Sequence, residues 1–150
     1  MRSMLICLLF GCASAFAADT PTEPEPSAAQ RMEAGRNAIE AKKWSVAITE
    51  FKAAVKEEPR NADAHNLLAY SFRKQAKPDL AKAFEHYRTA LKLNPDHKGA
   101  HEYIGEAYLM DKKPAEAEKH LADLERICGN KTCEEYVDLA GAIAQYKLQQ

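Results

Sequence analysis

The sequence predicts an all-α fold built from a repeated pair of helices, and three observations carry that expectation. From about residue 28 apolar side chains recur at helical spacing: Ala34, Ala38 and Ile39, then Val46, Ala47, Phe51, Ala54 and Val55. Pro59, Pro78, Pro95 and Pro114 stand where helices should start or stop. The segment Ala47-x3-Phe51-x2-Ala54-x4-Pro59 matches Ala83-x3-Tyr87-x2-Ala90-x4-Pro95 position for position, and Ala117-x3-Leu121-x2-Leu124 repeats its first part. Upstream of each, Gly35-x2-Ala38, Ala69-x2-Phe72 and Gly105-x2-Tyr108 hold equivalent places in a preceding helix. Self-similarity of this length marks a stack of two-helix units.

The elements follow in chain order. Arg2, the apolar run Met4 to Phe10 and the small-x-small site Ala15-Phe16-Ala17 have the layout of a secretory signal peptide over residues 1–17. The apolar run is too short to span a bilayer. Cleavage after Ala17 is the expected processing. The alternative is a lipobox-like cut at Leu9-Phe10-Gly11-Cys12, where Phe10 is bulkier than such a site prefers; a membrane contact would arise only through a lipidated Cys12. Residues 18–27, of which Asp19 to Ser27 read DTPTEPEPS, carry no large apolar group and read as a disordered linker. The body then divides into repeats at 28–61, 62–97 and 98–131. The second carries two extra residues near Lys77 and Pro78.

Each two-helix unit leaves an apolar face uncovered, so the last one needs a cap. Residues 132–150 supply it. Tyr136, Leu139, Ile143 and Tyr146 fall on one helical stripe, and Thr132-x2-Glu135 has the form of a capping box. Small residues Gly35, Ala69 and Gly105 are expected to face Ala47, Ala83 and Ala117 across the helix crossings. Cys128 and Cys133 flank a Gly129-Asn130 turn. With Cys7 and Cys12 in the leader, an even pair in an exported chain reads as a disulfide that staples the cap. A reactive pair would favour the C-x2-C spacing, and a metal site would want more ligands close by.

These residues resemble the tetratricopeptide repeat, whose period is 34 residues, with small residues, aromatics and a late proline at set positions. The resemblance covers most of the chain after the linker. The third repeat departs from it at Gly129, where proline is usual, and the first helix of repeat 1 is degenerate, with Arg31 and Ala34 where Trp and Leu are typical. It implies a right-handed superhelix of three antiparallel helix hairpins with a C-terminal capping helix. It also implies a concave surface that takes a segment of another protein. On that surface the resemblance places Met32, Arg36, Ile39 and Glu40 from repeat 1. From repeat 2 come Asp63, Asn66, Tyr70, Arg73 and Lys74, and from repeat 3 Glu102, Glu106, Leu109 and Met110, with Tyr103 close by. Tyr and Arg are residue types that often carry binding energy. The tail, with its Cys-x4-Cys, is similar to that of short exported bacterial tetratricopeptide proteins. Some family members grip chaperone C-termini with a clamp of Lys, Asn, Asn, Lys and Arg. Met32, Arg36, Leu67, Gly99 and Tyr103 stand at those places, and none fits.

Composition and motifs narrow the function classes. Lys plus Arg is 21, Asp plus Glu is 22, and the net charge is −1, which disfavours a nucleic acid as main partner. No HExxH, G-x-S-x-G, P-loop or G-x-G-x-x-G motif occurs. Serines are scarce within the repeats, and no nucleophile–base–orienter set can be assembled. No enzyme activity, no cofactor and no metal are therefore expected; the alternative to an interaction module is a metal-binding or redox accessory protein using His97 and His101 or Cys128 and Cys133. His97 and His101, four residues apart beside Asp96 and Glu102, are the one spacing that could chelate, but His65 and His101 share a repeat position that usually packs, so both read as architecture. The expected partner is another exported or envelope protein, and the expected location is periplasmic or secreted.

Overall fold

The computed structural model describes residues 24–150; the leader, Cys12 and most of the linker lie outside the described residues. Among the described residues there are seven helices and no strand: α1 Ala28–Glu40, α2 Trp44–Glu57, α3 Ala62–Lys74, α4 Leu80–Leu93, α5 Lys98–Met110, α6 Pro114–Cys128 and α7 Glu134–Leu148. None is long and apolar enough to cross a membrane.

Helices α1/α2, α3/α4 and α5/α6 form hairpins that stack in sequence, and α7 packs on α5 and α6. The stops and starts are local. Ser27 caps α1 in a reciprocal capping box with Gln30, Asn61 and Asp79 cap α3 and α4, and Pro114 opens α6, where its missing N–H costs nothing. The turns at 41–43 and 111–113 are tight and place Lys42 and Lys112 at positive φ (54° and 58°). The longer turn at 75–79, which holds the two extra residues, needs no such strain. Gly129 ends α6 at φ 70° in the left-handed region.

The hairpin interiors are close-packed on alanines: Ala47, Ala54, Ala69, Ala83, Ala90 and Ala117 are fully buried. Phe51 and Tyr87, equally buried, fill the wider gaps. Two of the glycines stand where a side chain would collide with a neighbouring helix. A Cβ on Gly35 would stand 2.5 Å from the Phe51 ring, and a Cβ on Gly105 would stand 2.7 Å from Leu139 of α7. Gly105 thus makes room for the cap.

Leu139 and Ile143 bury the stripe of α7 against Leu109, Ala117 and Leu124, with Tyr136 and Tyr146 at its margins. Cys128 and Cys133 are bonded across the α6–α7 turn, with Cα atoms 6.3 Å apart. The expected capping box does not form. Cys133 is the N-cap of α7 and makes no side-chain cap bond, while the Thr132 amide and hydroxyl both donate to Asn130 Oδ1. The disulfide turn holds Thr132 outside the cap position.

Candidate interaction surface

The first helices of the repeats, α1, α3 and α5, supply the inner wall. Along it Tyr70 and Tyr103 meet at a tilt of 46° with ring centres 4.7 Å apart, and Trp44 meets Tyr70 edge-on at 6.1 Å. Arg73 lies against both tyrosines, 5.3 and 5.7 Å from their ring centres, and Lys74 lies 5.8 Å from Tyr70. Both tyrosines are half-buried. Burial, with Glu102 beside it, pushes the Tyr103 hydroxyl up to about 12, so both remain neutral hydrogen-bonding groups at ordinary pH.

Arg73 is only 5% exposed. Its Nε donates to the Tyr87 hydroxyl at 3.3 Å, and its Nη2 pairs with Glu106. One guanidinium therefore ties α3 to α4 and α5. The sequence expectation placed Arg73 free on the surface, but its Nε and Nη2 are engaged inside the fold. Met32, Asn66, Glu102 and Leu109 are also buried rather than displayed. Asn66 sits beside Gly99, in the seam between successive first helices, and its Oδ1 lacks a hydrogen-bond partner. Arg36, Glu40, Asp63, Lys74 and Met110 are exposed, and Ile39, Tyr70, Tyr103 and Glu106 are partly so.

Glu102 shows what the cap adds. Burial, followed by the charges of Glu106, Asp138 and Glu135, pushes its carboxyl up to about 8. Two of those acids come from α7, so the wall becomes acidic where the cap meets α5. Beside this acidic stretch a groove of about 430 Å³ opens between α5 and α7, lined by Arg73, Glu106, Leu109, Met110, Lys112 and Tyr146 among others, with Glu106 its only acid. Sequence reasoning missed Trp44, Glu135 and Asp138. Trp44 opens a second helix and the acids lie beyond the last repeat, so repeat position flags none of them; their only signal was the helical phase of α7.

The histidines are paired behind this wall. His65 Nε2–H donates to the Pro59 carbonyl (3.1 Å), and its Nδ1 accepts from His86 Nδ1–H (3.1 Å). His101 repeats the arrangement with Pro95 (2.9 Å) and His120 (2.9 Å). Each second histidine stacks on an aromatic of the first helix, Phe72 for His86 and Tyr108 for His120. Burial, and then its partner histidine, lowers His86 below its ordinary value and takes His120 down to about 4. His97 does not join His101. It caps α5 through Nδ1, which accepts from the Ala100 amide, and its Nε2 faces Asp63 at 3.0 Å.

Tetratricopeptide-repeat family models match residues 32–88 and 75–130. The chain belongs to the tetratricopeptide repeat family. Its fold is similar to that of the first TPR domain of Spaghetti (RPAP3) bound to the HSP90 peptide SRMEEVD. That likeness has TM-score 0.70 at 21% identity and spans 83% of this chain and 94% of that one. It is also similar to the TPR domain of Arabidopsis OM64, with TM-score 0.71 at 16% identity over 83% and 97% of the two chains. The TPR2B domain of yeast Sti1, solved in a complex with pHsp70, gives 0.73 at 15% identity over 82% and 98%. At such identities the likeness is one of fold. No curated protein sequence matches the chain significantly. TPR domains are protein–protein interaction modules, and the all-α superhelical stack expected from the sequence is the one observed.

Proposed function

We propose that this chain is an exported, non-catalytic interaction module that holds a segment of another exported or envelope protein against its inner wall. The observation that carries the reading is the Trp44–Tyr70–Tyr103 aromatic run leading into the groove beside Glu106. Rigid aromatic faces offer large contact area at low entropic cost, and they lie where a helix or extended peptide can reach them. The acids at the cap favour a partner segment carrying Lys or Arg at that end.

The clamp positions speak against carboxylate-tail capture. Met32 is buried in the core, Leu67 packs against that core, Gly99 has no side chain, and Tyr103 is held against Tyr70. Export is supported by the leader-like first 17 residues and by the closed Cys128–Cys133 bridge, which persists in oxidising compartments.

The test is crosslinking in native envelopes, comparing the unaltered chain with a Tyr70→Ala, Tyr103→Ala variant whose melting is checked first. Loss of a crosslinked partner only in the variant is the expected result. A partner retained by both would move the site off the inner wall. Mass spectrometry of the mature N-terminus should find residue 18; lipid on Cys12 would instead make the protein a tethered factor.

A further inference from the structure

The two histidine pairs are repeat equivalents, and among the differences beside them one supplies a carboxylate within reach of the imidazole nitrogens. One turn beyond His86 stands Thr89; one turn beyond His120 stands Asp123. Asp123 Oδ2 lies 3.8 Å from His101 Nδ1, and one ligand atom from each of His101, His120 and Asp123 falls within 4.8 Å of the others.

We propose that His101, His120 and Asp123 form a binding site for a single divalent transition ion of the zinc class, in which the two Nδ1 atoms and one carboxylate oxygen are the protein ligands. Bonds of about 2.0–2.1 Å to a tetrahedral centre put ligand atoms roughly 3.3 Å apart. The observed 2.9 Å between nitrogens and 3.8 Å from nitrogen to oxygen bracket that spacing, so small side-chain shifts suffice. Three further features fit. His101 already donates its other ring nitrogen to the Pro95 carbonyl, the arrangement that orients a ligating imidazole and directs its free lone pair. His120 and Asp123 are partly exposed, which leaves an entry path and room for a water as fourth ligand. Arg126 reaches Asp123 Oδ1 at 3.7 Å and leaves Oδ2 turned toward His101.

Binding requires a tautomer change and no net proton release from the imidazoles. In the metal-free pair His120 donates from Nδ1; with the ion bound, that proton resides on Nε2 and both Nδ1 lone pairs face the metal. The His65–His86 pair has the same imidazole geometry and the same anchoring carbonyl but no carboxylate. It is the built-in control.

The tag-free chain, stripped with chelator and dialysed, is titrated with Zn²⁺ against a chromogenic competitor, and Co²⁺ is added to read coordination from its visible spectrum. The unaltered chain should bind one ion, give a tetrahedral cobalt spectrum and melt at higher temperature with Zn²⁺. Asp123→Thr, which copies repeat 2, should weaken binding at least tenfold and abolish the thermal shift while melting cooperatively without metal. Thr89→Asp should add a second ion. No ion on the unaltered chain, or full affinity in Asp123→Thr, would overturn the proposal; the latter would place the metal elsewhere, such as at His97 and Asp63. Failure of Thr89→Asp to gain an ion would overturn it too, because the carboxylate would not be the deciding group.

Discussion

Hairpins α3/α4 and α5/α6 are built on one plan, yet equivalent positions carry opposite chemistry. In the earlier hairpin Arg73 and Tyr87 face each other as a buried polar pair that reaches on to Glu106. In the later hairpin the same two positions are Leu109 and Leu121, packed with Leu124 under Leu139 and Ile143 of α7. The difference follows from the neighbour. The middle hairpin is followed by a repeat that supplies Glu106 to complete its network. The terminal hairpin is followed by an amphipathic cap and is sealed by apolar contact. A buried charge is tolerated only where its donors are satisfied, and an uncovered Leu cluster only where something covers it.

The largest test of this contrast is Arg73→Ala. It strands the Tyr87 hydroxyl in the interior and removes the counterion of Glu106, and should cost about 3 kcal/mol in urea unfolding. A loss no greater than that of an exposed charge, such as Lys74→Ala, would show that the polar tie is ornamental.

Gly105→Ala tests the apolar seal. Its new methyl would overlap Leu139, and overpacking of this kind costs roughly 1–3 kcal/mol. The loss should appear first as faster amide exchange in α7, with α1–α4 unchanged. Gly141→Ala, in the same helix with open space around its Cβ, should instead gain about 0.5–1 kcal/mol from helix propensity.

Reduction of Cys128–Cys133 releases a short loop, so its effect should be about 2 kcal/mol or less and confined to α7. Global unfolding on reduction would mean that the bridge, rather than the Leu139 contact, holds the cap.

The smallest effects are pH-dependent and opposite in sign. Burial, and then the neighbouring acids, push the Glu102 carboxyl from its ordinary 4.5 up to about 8, so the folded state holds the extra proton between those values. Stability should therefore fall as pH rises from 4.5 to 8, and Glu102→Gln should recover stability at pH 9 and change little near pH 4. His86 is depressed below 6.5 in the folded chain, so its pair should lose stability as pH falls below 6.5. His86→Phe should flatten that acid limb, read from melting temperatures across the range.

The helices, their order and the stacked hairpins were legible because they depend on spacing. The alanines, Phe51 and Tyr87 recur at positions that only a repeated helix crossing explains, and the stripe on α7 declares a cap. The disulfide partners followed from their number and place in the chain. Side-chain commitments were not legible in the same way. Repeat position put Arg73 and Asn66 on the inner wall without showing that neighbouring helices close over them. It assigned Gly105 to a crossing with Ala117 and gave no sign of Leu139, far along the chain, which leaves no room for a Cβ there. The capping box at Thr132 has the right letters but is displaced by the bridge.

The sequence by itself determined the periodic part of this protein, because helix packing repeats whenever small and large residues repeat. The tertiary structure alone decided which polar side chains meet: Arg73 with Glu106, Glu102 with the acids of α7, and His101 with His120 and Asp123. These contacts join residues from different helices, and their distances depend on how closely each hairpin rotates onto the next, which no spacing within one helix encodes.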